Sequence, residues 1–218
     1  MKVGVIIPDR GDRPLFMANC LRMMEAQTLK PSIISVINYK PESKECDITP
    51  RYRYGYETMR RQGMDVIAFI ENDDWYSPLY LETQTREWNE RGRPDIFGHD
   101  YTIYYHIRKF AHLTMRHVTR SSAMNTLIVP DLNLKWCADH DPYTDIWLWQ
   151  HCGLQRLVYR PETHICMGIK HGVGMSGGAC HTTQLEFFKD ADPDKSFLRS
   201  ILDPESFQFY SQYFNINL

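Results

Sequence analysis

The chain of 218 residues is 43% hydrophobic and carries a formal net charge of −2. That length and apolar content suit one globular domain with a sizeable core, and the near-neutral charge excludes a chain that is basic throughout. There is no apolar run of the ~18 residues that a membrane helix needs, the six cysteines show no CxxC spacing, and the opening run "KVGVIIP" is too short for a signal peptide, so a reducing cytoplasm is the expected location.

In chain order, residues 3–7 form a short apolar run closed by Pro8, which predicts a buried strand. The loop "DRGDRP" follows. Pro14 suits the first turn of a helix in which Met17, Cys20, Leu21 and Met24 keep the i, i+3, i+4, i+7 spacing. Residues 33–37 predict a second strand, "NYKPESKECDITP" a polar loop, residues 51–62 a helix stopped at Gly63, and residues 65–70 a third strand. Pro78 opens a helix with Leu81, Thr85 and Trp88 along one side, ending near Gly92. Strand-like "DIFGHDYTIYYHI" and "NTLIVP" come next, then a short helix over residues 144–152 ending at Gly153. Strands at "LQRLVYRP" and "HICMGI", a glycine-rich loop and a short helical tail complete the chain. Cys20 and Cys166 fall in apolar stretches and read as small core residues. Alternating strands and helices predict an α/β fold, a mostly parallel sheet sandwiched by helices, with ligands lying beyond the carboxyl ends of the strands.

The third strand ends in "ENDDWYSP". Glu71, Asp73 and Asp74 repel one another if they share a small volume, so their clustering points to a cation between them, most simply a divalent metal. Oxygen ligands suit Mn2+ or Mg2+, with Asp73 the principal ligand, Glu71 next and Asp74 orienting them. The alternative is a set of acids serving the N-terminus of the helix that Pro78 opens. A zinc site assembled from Cys137, His140, His151 and Cys152 matches no recurring spacing. Residues 101–130 hold no acid but carry Arg108, Lys109, Arg116 and Arg120, and residues 51–61 carry four arginines against one glutamate. These stretches read either as solvated faces or as surfaces for phosphate.

"VGVIIPDRGDRPLFMANCLRMMEAQTLKP" and "GYETMRRQGMDVIAFIENDDWYSPLYLE" resemble the opening blocks of GT-A-fold glycosyltransferases of the family 2 type, a Rossmann-like fold. "DPYTDIWLWQHCG" resembles their later acidic segment, and "IKHGVGMSGG" their C-terminal histidine loop. The sequence departs from that pattern in having Glu71 for the family's first metal-motif Asp, Thr144 for the acid before the catalytic Asp, and no Gln-x-x-Arg-Trp of the processive members. A narrower similarity, through "ENDDWY" and "YTIYYHI", is to phage glycosyltransferases associated with TET-type dioxygenases, which would place the protein in a host cytoplasm.

The resemblance implies an inverting transferase that moves a sugar from a nucleotide-sugar, a UDP-sugar by expectation, to an acceptor hydroxyl, with 5-hydroxymethylpyrimidine in DNA as the expected acceptor. A saccharide or lipid acceptor is the alternative, and a nucleotidyltransferase or a non-catalytic binding module the rival of another class. A nucleotidyltransferase usually holds phosphates on a glycine-rich loop after the first strand, and "PDRGDRP" has one glycine. The resemblance further implies Asp145 as the general base, with Asp139 and Asp141 as competitors nearby. His171 is implied as a third metal ligand. Pro8, Asp9, Arg13, Arg60, Glu71 and Asn72 are the expected donor contacts, and Arg108, Lys109, Arg116 and Arg120 the expected acceptor or DNA contacts. The single domain would divide into a nucleotide-sugar half over residues 1–100, an acceptor half over 101–180 and a tail over 181–218. No required protein partner is expected.

Overall fold

A computed structural model describes residues 1–150, 153–173 and 184–216 of the chain. Every residue of β1 (Val3–Pro8) and of β3 (Val66–Phe69) is buried, so these strands need cover on both faces. β1 pairs in parallel with β2 (Ile33–Ile37) on one side and with β3 on the other. The sheet continues through β8 (Leu127–Ile128), β5 (Ile96–His99) and β9 (Arg156–Tyr159), in the order 2-1-3-8-5-9. β8 runs antiparallel to both neighbours while β5 and β9 are parallel, so the sheet is mixed rather than purely parallel.

Side chains alternate across this sheet and build a core on each face. On one face Ile6, Ile67, Phe69, Ile96 and Ile128 pack with Tyr52, Tyr56, Leu148 and Trp149, which come from α2 (Ile48–Met59) and α4 (Thr144–Trp149). α2 lies so close to β1 that a Cβ on Gly55 would come within 2.5 Å of Ile6. On the other face Val5, Ile7, Ala68, Ile70 and Phe97 are covered by α1 (Pro14–Glu25), α3 (Tyr80–Glu90), α5 (Ser196–Ile201) and α6 (Pro204–Ile216). Cys20 and Cys166 are both buried, as expected.

A second sheet was not legible in the sequence. It comprises β11 (Asp190–Ala191), β7 (Ala111–Arg116), β6 (Tyr101–His106), β10 (Cys166–Lys170) and β4 (Trp75–Tyr76), in that order. The continuous strand-like run "DIFGHDYTIYYHI" is in fact cut at Asp100, where the chain leaves the first sheet and enters the second. The Asp100 N–H donates to the Tyr159 carbonyl (2.8 Å), and the Asp100 carbonyl accepts from the His117 N–H (2.6 Å), which holds the crossing point. α4 ends at Trp149, short of the expected boundary, and residues 151–152 lie outside the described residues.

The C-terminal helices are tied to the rest of the molecule by buried polar groups. The Trp75 indole donates to Asp203 (3.1 Å). Asp192 accepts from the Tyr105 hydroxyl (2.9 Å) and from the N–H groups of Phe197 and Leu198, both at 3.0 Å. No described helix is long and apolar enough to cross a membrane.

The crossing of β5 beneath the loop that follows β7 is tight. A Cβ on Gly98 would meet the Ser121 Cβ at 2.5 Å and the Asn125 carbonyl oxygen at 2.6 Å. Gly98→Ala is therefore predicted to cost ~1–3 kcal/mol, as overpacking against backbone does. Urea unfolding would show this as a lower midpoint, and an unchanged midpoint would mean that the loop can move aside freely.

Candidate functional site

The acids sit on the turn that carries the chain from β3 of the first sheet to β4 of the second. Backbone bonds fix that turn from several sides. The Tyr52 hydroxyl donates to the Ile70 carbonyl (3.2 Å), the Glu71 N–H to the Tyr76 hydroxyl (2.9 Å), and the Tyr210 hydroxyl of α6 to the Asp74 carbonyl (3.0 Å). β4 pairs with β10, and the Ile169 N–H of β10 donates to Asp74 Oδ1 at 2.7 Å. One ligand oxygen from each of Glu71, Asp73 and Asp74 can be chosen so that all lie within 4.8 Å of one another.

So close a cluster needs positive partners. Arg13, at the start of α1, forms an ion pair with Asp73. His171, fully buried, places Nε2 2.9 Å from the same carboxylate oxygen. Its Nδ1 accepts the Val173 N–H (2.9 Å), which assigns the proton to Nε2 and leaves the ring neutral, and burial lowers its pKa further. Lys170, last residue of β10, is buried with its amine 5.0 Å from the Tyr104 ring. Burial pushes the Glu71 carboxyl up to about 7, with Lys170 opposing and Asp73 and Asp145 adding. Asp74 is also driven well above the usual carboxylate range, by burial and then by Glu71 and Asp73.

These residues fit a hard divalent cation. The donor set is all carboxylate oxygen apart from His171, and the buried Asp74 Oδ2 has no hydrogen-bond partner among the described residues. Of the zinc alternative, only Cys137 and His140 lie among the described residues. The Cys137 thiol sits 3.0 Å from the Thr49 hydroxyl, His140 is beside Glu45 at 3.2 Å, and His151 and Cys152 lie outside the described residues.

A cleft of about 420 Å3 opens beside the acids. Pro8, Arg10, Arg13, Arg51, Glu71, Asn72 and Asp73 line it from the first part of the chain, and Tyr104, Arg120, Ser122, Asp145 and Lys170 from the later part. Asp145 occupies the first turn of α4. The preceding residue, Thr144, is buried, with its hydroxyl bonded to that of Thr49 and 3.5 Å from the Cys137 thiol, which fixes where the helix begins. Arg120 pairs with Asp145. Burial raises the Asp145 pKa and Arg120 opposes that shift. Of the competing acids, Asp139 is exposed and paired with Arg53 (2.8 Å), and Asp141 accepts from the Tyr143 N–H (2.8 Å) and the Trp147 indole (3.2 Å). Neither is among the cleft-lining residues.

The other expected residues are placed unevenly. Asp9 lies behind the cleft, accepting from Asn72 Nδ2 (3.0 Å) and the Gly11 N–H (3.2 Å). Arg60 is away from the cleft, paired with Glu57 (3.2 Å) and Asp131 (3.5 Å). Arg51, from the same basic stretch, lines the cleft instead and ties the Asp9, Ile37 and Tyr39 carbonyls together. Arg108 stacks on Phe214 at 4.1 Å, and Lys109 donates to the Leu185 carbonyl. Leu113 and Met115 of β7 line the cleft. Strand alternation therefore puts Arg116 on the opposite face, that of His112, which stacks on Phe197. Arg120 alone of the four expected acceptor-side cations borders the cleft. Gly174, Gly177 and Gly178 of the glycine-rich loop lie outside the described residues. Sequence reasoning missed Arg10 and Lys170. Lys170, directly before His171, had a signal in the run "IKHG".

No family model matches the chain, and no curated protein matches it in sequence. Its fold resembles that of TarS from S. aureus. The structure of TarS residues 1–349 in complex with UDP-GlcNAc superimposes with a TM-score of 0.51 and 10% identity, over 98% of this chain and 71% of that one. A longer TarS structure gives 0.50 and 11%, over 78% of this chain and 37% of that chain. At such identities the likeness concerns the fold, a GT-A-like mixed α/β domain. The chain spans only about a third of the longer TarS structure (37%).

The Glu71 environment has a consequence for stability. Its folded pKa of about 7 lies above its ordinary 4.5, so across that window the folded state binds more protons than the unfolded one. Cation-free protein is predicted to lose stability as pH rises through this window, since deprotonation favours the unfolded chain. Glu71→Gln should flatten the slope in urea titrations run with chelator, and a slope unchanged by the substitution would show that Glu71 is not the group responsible.

Proposed function

We propose that the chain is a cation-dependent, inverting glycosyltransferase acting from a nucleotide-sugar. The observation that carries this reading is that the acidic turn and Asp145 line one cleft of about 420 Å3, a size that suits a nucleotide-sugar. The wall from residues 1–100 takes the donor, with Pro8, Arg13, Asn72, Arg10 and Arg51 around it. The wall from residues 101–180 takes the acceptor. Asp73 is the principal cation ligand, with Glu71, Asp74 and His171 able to join it, His171 once its proton has moved from Nε2 to Nδ1 and the Val173 N–H bond is given up. A bound Mn2+ or Mg2+ would act there as a Lewis acid for the departing diphosphate.

The chain's own residues account for the remaining steps. Asp145 accepts the proton of the acceptor hydroxyl, and the oxygen forms its bond to the anomeric carbon. The bond from that carbon to the diphosphate oxygen breaks on the opposite side, with its electron pair leaving on the diphosphate. Arg13 and Lys170 add positive charge beside the acids. Since TarS has been crystallised with UDP-GlcNAc, a UDP-sugar is the donor to try first. The acceptor we favour is a 5-hydroxymethylpyrimidine in phage DNA, on the sequence resemblance and on the acid-free residues 101–130. A saccharide or lipid hydroxyl would use the same chemistry.

Incubation with UDP-sugars and Mn2+, following UDP release with hydroxymethylated DNA, with an oligosaccharide or with neither, tests these readings together. Asp73→Ala is predicted to abolish cation-dependent turnover with the fold intact. Asp145→Asn should lower turnover by roughly 10²–10⁴-fold while donor binding persists. Absence of both donor binding and UDP release would refute the enzyme reading, and full activity in Asp73→Ala would refute the cation site. Turnover that responds to an oligosaccharide but ignores DNA would refute the DNA acceptor.

A further inference from the structure

We propose that Arg120 gates Asp145, and that the acceptor carries a phosphate near its reactive hydroxyl which draws the guanidinium away when the base is needed. This rests on the glycosyltransferase reading above and narrows the acceptor class.

The geometry of the pair is that of a latch. Arg120 directly precedes Ser121 and Ser122, both buried. The Ser121 hydroxyl oxygen accepts the His99 N–H (3.0 Å), and the Ser122 hydroxyl bonds those of Thr102 (2.8 Å) and Tyr104 (2.9 Å). Asp145 is anchored just as firmly through Thr144 and Thr49. Neither backbone can retreat without breaking buried hydrogen bonds, so the contact opens by rotation of the Arg120 side chain, which is 28% exposed against 16% for Asp145.

While closed, the latch occupies a lone pair of the base with a charge-assisted bond, and a carboxylate so held is a poorer proton acceptor. The charged groups facing Asp145 are Arg120 from the loop after β7 and Glu71 from the acidic turn, with the Ile146 N–H from its own helix. Withdrawal of Arg120 would leave a buried carboxylate beside a like charge, a strong base. The withdrawn guanidinium loses its carboxylate partner, so an anion supplied by the acceptor takes the carboxylate's place on it. Only Nη1 of Arg120 is engaged, by Asp145, among the described residues, and the remaining N–H groups form the fork that fits a phosphate. The surroundings support an anionic visitor. Residues 101–130 contain no acid to repel it, and Lys170 adds a second cation to the lining of the cleft. Such a phosphate could belong to a nucleic-acid strand or to a polyol phosphate.

The 13C resonance of the Asp145 carboxyl, followed through a pH titration, reads the latch without any need for turnover. We expect Arg120→Ala to move the Asp145 midpoint upward, Arg120→Lys to move it less, and dimethyl phosphate to move the wild-type midpoint upward while leaving Arg120→Ala unchanged. A midpoint that Arg120→Ala does not shift, or a dimethyl phosphate effect that survives in that variant or is missing from the wild type, would overturn the gate. Kinetics then identify the source of the phosphate. Hydroxymethyldeoxycytidine 5′-phosphate against its nucleoside, and glycerol 3-phosphate against glycerol, should show a preference of roughly ten-fold or more in one pair, which Arg120→Ala erases. Equal use of both members of a pair that turns over would also overturn it. An intact resonance response with no UDP-sugar turnover would count against the glycosyltransferase reading and not against the latch.

Discussion

Three carboxylates held within 4.8 Å of each other are an electrostatic burden, and the architecture around the cleft is arranged to carry it. Arg13 from the start of α1, Lys170 from the end of β10 and His171 just beyond converge on the turn, while Tyr210 of α6 holds its backbone. Burial and mutual repulsion still win in part, since Glu71 and Asp74 both rest above the ordinary carboxylate range. A site that keeps protons on its acids is poised to exchange them for a more compact charge.

The turn also joins the two sheets. β3 belongs to one and β4 to the other, and β10, which pairs with β4, delivers Lys170 and His171 to the same place. The other wall of the cleft takes Tyr104 and Lys170 from the second sheet, Arg120 and Ser122 from the loop after β7, and Asp145 from α4. The cleft is thus a seam, and its two acidic centres, the turn and Asp145, are each capped by an arginine from a neighbouring segment. Arg13 sits on Asp73 and Arg120 on Asp145. On the proposed reading, the reaction would require a metal at the first place and a proton at the second.

Much of the first sheet was legible because its strands are short apolar runs bounded by turn residues. Residues 33–37 and the helix opened by Pro14 fall where the sequence places them. The acidic turn was legible for the same reason, since charges abutting a buried strand are conspicuous. The second sheet was not. β4 and β11 have only two residues each, and the boundary between β5 and β6 leaves no mark in a run that is strand-like throughout. A period of two tells which side of a strand is apolar, but not which sheet the strand joins.

From the sequence alone came the class of fold and the cluster of acids at the end of β3, because composition, periodicity and local spacing are properties of neighbouring residues, while the candidacy of Asp145 came from the resemblance. Only the tertiary structure decided that Arg51 and not Arg60 borders the cleft, that Arg116 faces away from it, and that Lys170 and Arg120 stand beside the acids. Those outcomes depend on contacts between residues far apart in the chain, such as Arg13 with Asp73 and Thr49 with Thr144, and on which way one strand face or helix turn points once the core has closed.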